Sequence, residues 1–443
     1  MRGKKILAGS SAVVITHPNE SHFLFGYPFV DRMSTGTHDD LMSSALYLTN
    51  GEEHVLLISN DVIYISKEST QRIRKNIEEK TGISGSNILI AATHTHSAPV
   101  TAELAISNND PIVPRVNQNF LKYVEEKTVQ AACQAFENAV LAEIAIVVGD
   151  ATGVGTNRHN PAWAKDMDVP ALLIKNINGD FIGCMLICNM HPTILHEDST
   201  LFTGDFPYFV KKHLQETVLG DGVPVVYFTG TAGNQSPRHV TKANTFEEAE
   251  RIGKIVAVSV VSKISETTPF FSHADISVGQ KLIDLPRRKF PSVEFAQAHH
   301  DKAKNRFEYL KVNSKDPKEI RTAEVDWFGA VELLYLAELS QTKELEKYYQ
   351  GSLPAEIQVI KIGDWKFVAW PGEVFVEYGI ELKKHFDDIA MITYANGELQ
   401  GYIVTEEAQE KGFYEAGNSF FDYRAGELML TETIKELKAI AVD

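Results

Sequence analysis

The chain has 443 residues, of which 44% are hydrophobic and 23% charged, so it can bury a large core and lacks the composition of a disordered protein. Its formal net charge is -16, with 59 acidic against 43 basic residues and no basic cluster, which argues against nucleic acid and anionic membrane surfaces as partners. No apolar run reaches membrane-spanning length. A small-molecule substrate is the better candidate partner.

The N-terminal segment and the cysteines both favour a cytoplasmic protein. Residues 1–7 carry positive charge but run into serines and then into the polar His-Pro-Asn-Glu of residues 17–20, without the apolar stretch of a secretion signal. Cys133, Cys184 and Cys188 lack the spacing of a metal knuckle, and an odd number of cysteines without an export signal fits reduced, mostly buried thiols. We therefore expect a cytoplasmic location, and the sequence leaves the oligomeric state open.

The first ninety residues predict helices packed on a sheet. Residues 5–60 alternate apolar and polar positions with turn residues between, which is typical of strands joined by turns. A buried strand at residues 55–61 is followed by a helix that Ser66 caps and Gly82 ends, and then by a short buried strand at residues 87–90. This strand, helix and strand order indicates a helix-covered sheet.

Two histidines, His94 and His96, follow that last strand within the sequence Ala-Ala-Thr-His-Thr-His-Ser-Ala-Pro of residues 91–99. Side chains at positions i and i+2 of a strand point to the same side, so both imidazoles are predicted to face one cleft. One of them can bind a metal while the other acts on a substrate. An isolated His-x-His more often only decorates a strand end, so a metal site requires further ligands.

Two later strands also end in potential ligands. Residues 171–175 and 181–188 predict a hairpin, and His191 follows its second strand. The strand at residues 366–370 runs into Pro-Gly-Glu, which places the Glu373 carboxylate where the earlier strands have histidines. Because α/β folds gather their sites at one edge of the sheet, these groups are predicted to meet there. Asp205 is expected to cap a helix from about Phe206 rather than to orient a metal-bound histidine.

Two loops offer an arginine and a serine. Arg158 lies in the loop 155–161, and its planar guanidinium can clamp a substrate oxygen, although taken alone it suggests a surface arginine. Ser236 lies in the loop 229–238, which is rich in small residues that let backbone approach a ligand. Ser236 can be a nucleophile or an oxygen ligand. The loop lacks the strand-turn-helix signature of a hydrolase elbow, which favours an ordinary turn serine.

The predicted fold class is α/β (α+β): one domain over residues 1–443, with a mixed β-sheet core flanked by helices. Residues 293–350 are rich in Lys, Glu, Ala, Leu and aromatic residues and predict a helical hairpin insertion, interrupted at residues 313–317. This insertion can be a lid, a dimer arm or simple packing. The sheet then resumes at residues 355–362.

Taken in order, the motifs resemble those of the neutral/alkaline (non-lysosomal) ceramidase family. They are Thr-His-Thr-His-Ser at residues 93–97, Asn-Arg at 157–158, His-Pro-Thr at 191–193, Gly-Asn-Gln-Ser-Pro at 233–237, Pro-Gly-Glu at 371–373, Gly-Tyr-Ile-Val-Thr at 401–405 and Tyr-Glu-Ala at 414–416. The resemblance runs from about residue 8 to about residue 420.

The resemblance implies two sets of site residues. The residues matching the family's zinc ligands are His94, His191, Glu373 and Tyr402. The residues matching the substrate pocket are His96, Arg158, Ser236 and Tyr414. Two imidazoles with a carboxylate are also a common catalytic zinc set on chemical grounds, and a weak fourth protein ligand leaves room for water.

The sequence departs from the family at several positions. Ala98 and Val100 stand where the first motif usually has glycines, and Ala416 follows the Tyr-Glu pair. The chain stops at Asp443, so we expect it to lack the C-terminal immunoglobulin-like domain and the export signal of family ceramidases. Zinc chemistry is therefore better supported than ceramide as the substrate.

These patterns predict a zinc-dependent hydrolase that uses a metal-activated water to cleave an amide bond in a ceramide-like or smaller soluble molecule. The alternatives are a zinc hydrolase of an ester, lactone or glycoside, and a non-catalytic zinc-containing binding protein. His96 is expected to stay off a metal bound by His94 and to pass a proton to the leaving amine. Arg158 and Tyr414 would hold substrate oxygens. Ser236 is expected to hydrogen-bond the substrate, with an acyl-enzyme as the rival.

Overall fold

The structure is a computed structural model that describes residues 4–17, 20–105 and 109–440. The start of the N-terminal segment considered above, and two residues of its His-Pro-Asn-Glu sequence, lie outside these ranges. No helix in the described part of the chain is both long and apolar enough to cross a membrane. The body is built from two sheets with helices on their outer faces.

The strands, in chain order, are β1 (Leu7–Val14), β2 (Gly36–Thr37), β3 (Met42–Thr49), β4 (His54–Asn60), β5 (Ile88–Ala92), β6 (Val140–Asp150), β7 (Thr156–Asn157), β8 (Asp168–Asn176), β9 (Phe181–Cys188), β10 (Leu201–Phe202), β11 (Val225–Thr229), β12 (Gln235–Ser236), β13 (Ile276–Ile283), β14 (Ala355–Ile362), β15 (Trp365–Ala369), β16 (Glu373–Val374), β17 (Ile389–Ile392) and β18 (Tyr402–Ile403).

The helices are α1 (Lys67–Thr81), α2 (Gln118–Glu137), α3 (Phe206–Leu214), α4 (Phe246–Val261), α5 (Val293–Asn313), α6 (Pro317–Leu339), α7 (Glu344–Ser352), α8 (Val376–His385), α9 (Glu406–Lys411), α10 (Tyr414–Asn418) and α11 (Arg424–Ala439). The local signals read from the sequence act as predicted. The Ser66 side chain accepts from the backbone N–H of Ser69 at the start of α1, and Gly82 ends that helix in the left-handed region with φ 75°.

The larger sheet has eight strands in the order β11-β9-β8-β6-β1-β3-β4-β5. Its pairs are antiparallel except at the two edges, where β5 runs parallel to β4 and β11 runs parallel to β9. The second sheet has the order β13-β14-β15-β17 and is also mixed, because only β15 and β17 are parallel. The mixed-sheet fold class predicted from the sequence is confirmed.

The two sheets pack face to face. Side chains from the large sheet, such as Leu46, Ile187 and Phe228, form one buried cluster with Ile360 and Phe367 of the second sheet. Alternate positions of the large sheet point the other way, toward α1 to α4. The molecule therefore has four layers: helices, sheet, sheet and helices.

The loop that carries His94, after β5, lies beside the ends of β11 and β17. The Thr229 hydroxyl, at the end of β11, donates to the Thr93 carbonyl at 2.7 Å. The backbone N–H of Thr393, after β17, donates to the Thr229 carbonyl at 2.9 Å, and that of Ala92 donates to the Tyr394 carbonyl at 3.1 Å. These contacts bring the loops after β5, β11 and β17 to one place.

The helical hairpin predicted over residues 293–350 is present as α5 and α6, and Asp316 caps the second helix by accepting from the backbone N–H of Lys318. It is not an isolated arm. Leu336 of α6 belongs to the same buried cluster as Ile357 and Val368 of the second sheet, and Trp327 stacks near Phe29, with ring centroids 6.3 Å apart. Of the three roles left open, the structure favours packing onto the body beside the site.

Candidate metal centre and cavity

His94 and His96 lie beyond the strand that was expected to carry them. Strand β5 ends at Ala92, and His94 adopts a left-handed backbone conformation with φ 66°, which non-glycine residues rarely occupy. Strand alternation is therefore the wrong reason for their shared orientation. The orientation itself is as predicted, because the Nε2 atoms of His94 and His96 are 3.3 Å apart.

Three imidazoles have their tautomers set by backbone carbonyl groups. In each, Nδ1 lies 2.7 to 3.0 Å from a carbonyl oxygen, and the pairs are His94 with Ile63, His96 with Gly26 and His191 with Ala232. A carbonyl oxygen only accepts, so each Nδ1 carries the hydrogen and each neutral ring presents a lone pair at Nε2. Burial lowers the pKa of His94 to about 3 and that of His96 well below its ordinary value, which keeps both rings neutral.

Glu373 brings a carboxylate oxygen to the same point. Tyr64 donates its hydroxyl hydrogen to Oε1 of Glu373, which leaves Oε2 buried without a hydrogen-bond partner among the described residues. Oε2 lies 3.2 Å from Nε2 of His191 and 3.6 Å from Nε2 of His94. Burial acts to raise the pKa of Glu373 and the hydrogen bond from the Tyr64 hydroxyl acts to lower it, and the pKa lies below its ordinary value.

The convergence of these groups fits a divalent metal ion. Nε2 of His94 and Nε2 of His191 are 3.1 Å apart, so two lone pairs face each other in a buried site. A cation between them removes that repulsion. Zinc with ligands at 2.0 to 2.2 Å in a tetrahedron separates neighbouring donor atoms by roughly 3.3 Å, close to the spacings found here. The described residues His94, His96 and His191 form a group whose donor atoms all lie within 4.8 Å of one another.

This geometry changes the argument about His96. The expectation that His96 stays away from a metal on His94 rested on their neighbouring positions in a strand, yet its Nε2 is as close to His94 as the other donors are. His96 is therefore within reach of the same ion. The role of His96 in proton transfer stays a prediction. The metal content of a protein that lacks this imidazole has to be measured to test it.

A second group of similar chemistry lies near the N-terminus. Glu20 Oε2 is 3.6 Å from Nδ1 of His17 and 3.5 Å from Nε2 of His22, and neither nitrogen has a hydrogen-bond partner among the described residues. Their donor atoms also lie within 4.8 Å of one another. A measurement of the total metal content therefore has to distinguish metal bound by this group from metal bound at His94.

Tyr402 is positioned beside Glu373 by a short parallel strand pair. Strands β16 and β18 align Glu373 with Tyr402, so the two side chains share a face. Burial, and after it the charge of Glu373, raises the pKa of Tyr402 well above its ordinary value, which favours a neutral phenol. Its assignment as the fourth ligand stays a prediction.

A cavity of about 90 Å³ adjoins this centre. Four of the predicted site residues line it: His96, Glu373, Tyr402 and Tyr414. The rest of the wall includes residues 25–29, Tyr64, Asp110, Asn418 and part of α6. A larger open groove of about 1450 Å³ between α1, α2 and α7 is lined by many lysines and glutamates and by none of the predicted site residues, so the smaller cavity is the candidate site.

Arg158 and Ser236 lie close to the cavity but not among its lining residues. The Arg158 side chain is only 11% exposed and points inward. Its Nε donates to Glu415 at 2.5 Å, its guanidinium carbon is 5.3 Å from the centre of the Tyr402 ring, and its Nη2 has no hydrogen-bond partner among the described residues. Strand β12 holds Ser236 against β7, which carries Asn157, and the buried Ser236 hydroxyl likewise lacks a partner.

Asp205 acts as a helix cap, as expected. Its carboxylate accepts from the backbone N–H of Phe206 at 2.6 Å and from those of Ile194 and Leu195 at 3.0 and 2.9 Å. It therefore ties the loop after His191 to the start of α3. Backbone carbonyls, and not this carboxylate, orient the three imidazoles.

Sequence reasoning missed three residues of the site. Tyr64 fixes the Glu373 carboxylate, Glu415 holds Arg158, and Glu332 lines the cavity from α6. Tyr64 follows the polar end of a predicted strand, and Glu415 belongs to the Tyr-Glu-Ala motif of residues 414–416. Neither feature indicated that these side chains hydrogen-bond Glu373 and Arg158. Glu332 lies within an ordinary amphipathic helix and gave no signal.

The layered α/β body and the buried imidazole and carboxylate cluster define a candidate metal-binding enzyme. Residues 6–207 match the family described as neutral/alkaline non-lysosomal ceramidase, N-terminal. The fold of nearly the whole chain is similar to that of neutral ceramidase from Pseudomonas aeruginosa, with a TM-score of 0.78, 17% identity, and coverage of 99% of this chain and 74% of that one. A ceramidase complexed with C2 gives a TM-score of 0.76, 15% identity, and coverage of 99% and 75%. The family resemblance predicted from the motifs is confirmed.

Proposed function

We propose that the protein is a zinc-dependent hydrolase that cleaves an amide bond. The family match and the fold support an amide-bond hydrolase. The observation that carries the zinc proposal is the meeting of imidazole Nε2 lone pairs with the unpartnered Oε2 of Glu373. His94, His191 and Glu373 would hold the ion, with Tyr402 as the fourth ligand. When bound, zinc supplies a Lewis acid and makes water a nucleophile at neutral pH.

His96 is proposed to move the proton. Its Nδ1–H donates to the Gly26 carbonyl, which fixes Nε2 as the proton acceptor. A base of this kind can take a proton from water and return it to the leaving amine. A His96→Ala protein that keeps its metal and loses turnover would support this role, whereas loss of the metal would make His96 a ligand.

Arg158 and Tyr414 are proposed to hold substrate oxygens. Arg158 has a free Nη2 donor while its Nε is occupied by Glu415, so the guanidinium is already oriented before a substrate binds. Tyr414 lies at the cavity wall against Tyr402, with ring centroids 6.1 Å apart. Burial raises the pKa of Tyr414 well above its ordinary value, so its hydroxyl remains a donor.

The cavity favours a smaller amide over a long-chain one. Its volume of about 90 Å³ is well below the 300–1,000 Å³ typical of sites for drug-sized ligands. A substrate with two long alkyl chains would require the surrounding segments to move apart. A short acyl group fits the site as it stands.

A substrate panel tests the proposal. Purified protein is incubated with zinc and with N-acyl amides of increasing chain length, matched esters, lactones and glycosides, and the products are identified by mass spectrometry. Release of amine from short amides is the expected result. Exclusive turnover of esters, lactones or glycosides would contradict amide specificity, and full metal content without turnover of any compound would identify a binding protein.

Ser236 is proposed to act as a hydrogen-bond donor and not as a nucleophile. No imidazole or lysine hydrogen-bonds its hydroxyl, so the base that activates a catalytic serine is missing among the described residues. We expect Ser236→Ala to lower kcat by about 10- to 100-fold, on the scale of one lost transition-state donor or somewhat less. Retained slow turnover is the signature of that role.

The rival mechanism is tested directly by trapping. Turnover with an added amine acceptor in oxygen-labelled water, followed by mass analysis of the intact protein, detects any acyl group on Ser236. A trapped acyl-enzyme, or complete inactivation of Ser236→Ala with its metal intact, would contradict the proposal. Ser262, an exposed serine on α4's C-terminal end, provides the matched Ser262→Ala control.

A further inference from the structure

Two side chains of the cavity wall carry polar atoms that the protein itself does not satisfy. Glu332 of α6 is 8% exposed, and its Oε2 has no hydrogen-bond partner among the described residues. Asn418 of α10 is 1% exposed, and both its Oδ1 and its Nδ2 lack partners. Both residues line the cavity. A buried polar group without a partner costs about 1–3 kcal/mol, so such groups in a native structure require an explanation.

Close packing between two helices fixes these groups at the wall. A Cβ atom on Gly329 would lie 2.9 Å from Cδ2 of Tyr414, so only glycine allows α6 and α10 to approach this closely. A Cβ atom on Gly417 would likewise lie 3.1 Å from the Gly329 carbonyl oxygen. Glu332 follows Gly329 by about one helical turn and therefore lies on the same side of α6. The close approach of α6 and α10 therefore positions Tyr414 and also brings Glu332 and Asn418 to the cavity.

The electrostatics favour neutral recognition at this wall. Burial raises the pKa of Glu332 well above its ordinary value, and the nearby negative charges of Glu373 and Asp110 act in the same direction. A protonated carboxyl group both donates and accepts a hydrogen bond, and so does the Asn418 amide. The pair suits an uncharged polar group better than it suits a cation or a hydrocarbon chain, which would leave these atoms unpaired.

We infer that Glu332 and Asn418 determine specificity by hydrogen-bonding an uncharged polar substituent, a hydroxyl or a carbonyl, on a short-chain amide substrate. This inference rests on the proposed function and narrows its substrate class from small amides to small polar amides. A site built to hydrogen-bond a substrate group discriminates against the analogue that lacks it far more strongly than an apolar pocket does, because the buried partners are then left unpaired.

Glu332→Leu separates this role from a structural one. Leucine has a similar size and no polar atoms, so removing an unsatisfied group should leave the thermal unfolding midpoint unchanged or higher. Glu332→Gln keeps a neutral donor and acceptor. Glu338→Leu makes the same substitution at an exposed position of the same helix and serves as the control. Asn418→Leu is the second test variant.

The readout is the binding of two probes matched in length, an N-(hydroxyacyl) amide and the corresponding N-alkanoyl amide. Binding is measured as the shift in unfolding midpoint, and turnover is measured in parallel. For the hydroxylated probe, we expect Glu332→Leu and Asn418→Leu to weaken binding by about 10- to 100-fold, with little change for the alkanoyl probe. Glu332→Gln and Glu338→Leu should behave as the unaltered protein does.

Binding is read without catalysis, so the two proposals fail in different ways. Selective binding of the hydroxylated probe without turnover would contradict the hydrolase proposal and uphold the polar site. Equal binding of both probes by the unaltered protein, or an equal loss for both in Glu332→Leu, would overturn the specificity role. A lowered unfolding midpoint of Glu332→Leu with unchanged preference would show that the carboxyl group is structural.

Discussion

Replacing His191 by alanine should remove the zinc ion proposed for this centre and lower turnover by about 10³-fold or more, since that ion would supply both the electrophile and the activated water. Glu373→Gln should act in the same direction, because the amide lacks the negative charge of Oε2, which lies 3.2 Å from Nε2 of His191. Elemental analysis of the purified proteins measures the metal, and steady-state kinetics with a short amide measures turnover. His94→Ala completes the set.

The second cluster provides the control for this experiment. His22→Ala changes the group formed with His17 and Glu20, away from the cavity, and should leave turnover intact even if it lowers the total metal content. Each variant should therefore lose only the metal bound at its own site, so the losses in His191→Ala and His22→Ala are independent of each other. Full metal content in both His94→Ala and His191→Ala would overturn the assignment.

Tyr64 shows how the centre depends on a residue with no recognisable motif. Its hydroxyl occupies one oxygen of Glu373 and so turns the other toward the imidazoles. The two residues are 309 positions apart in the chain. The strand end predicted that the Glu373 carboxylate lies near the histidines, but only the assembled sheets bring Tyr64 beside it.

The predictable part of the fold was the part encoded locally. Caps and turns gave the bounds of α1, the hairpin of β8 and β9 and the break between α5 and α6, because each depends on a few neighbouring residues. The pairing of the two sheets was not encoded in this way. Their contact joins residues such as Leu46 and Ile360, which no periodicity connects.

The histidines show the limit of reasoning from periodicity within the site. The shared orientation of His94 and His96 was predicted correctly, but it arises from a left-handed turn after the strand and from two separate carbonyl acceptors. Those acceptors, at Ile63 and Gly26, come from distant segments of chain. The sequence therefore indicated which histidines meet, while the tautomers of their rings and the distances between them depend on the tertiary structure.

Arg158 is the clearest case of a residue whose local context misleads, and it carries the second large expected effect. Alone in a polar loop it suggested a surface side chain, whereas its partner Glu415 lies 257 positions away and is 2% exposed. Arg158→Met should destabilise the protein by about 3–5 kcal/mol, because it leaves the buried Glu415 carboxylate without the guanidinium that hydrogen-bonds it. Chemical denaturation measures this loss.

The double variant Arg158→Met/Glu415→Gln distinguishes the two functions of the arginine. Removing both charges should recover much of the stability lost in Arg158→Met, since no unpaired buried charge remains. Turnover should stay low, because the unpartnered Nη2 donor that is proposed to hold the substrate is still missing. If the double variant instead regains both stability and turnover, Arg158 acts only by holding Glu415 in place, and the substrate oxygen has to be bound by Tyr414 or by another donor.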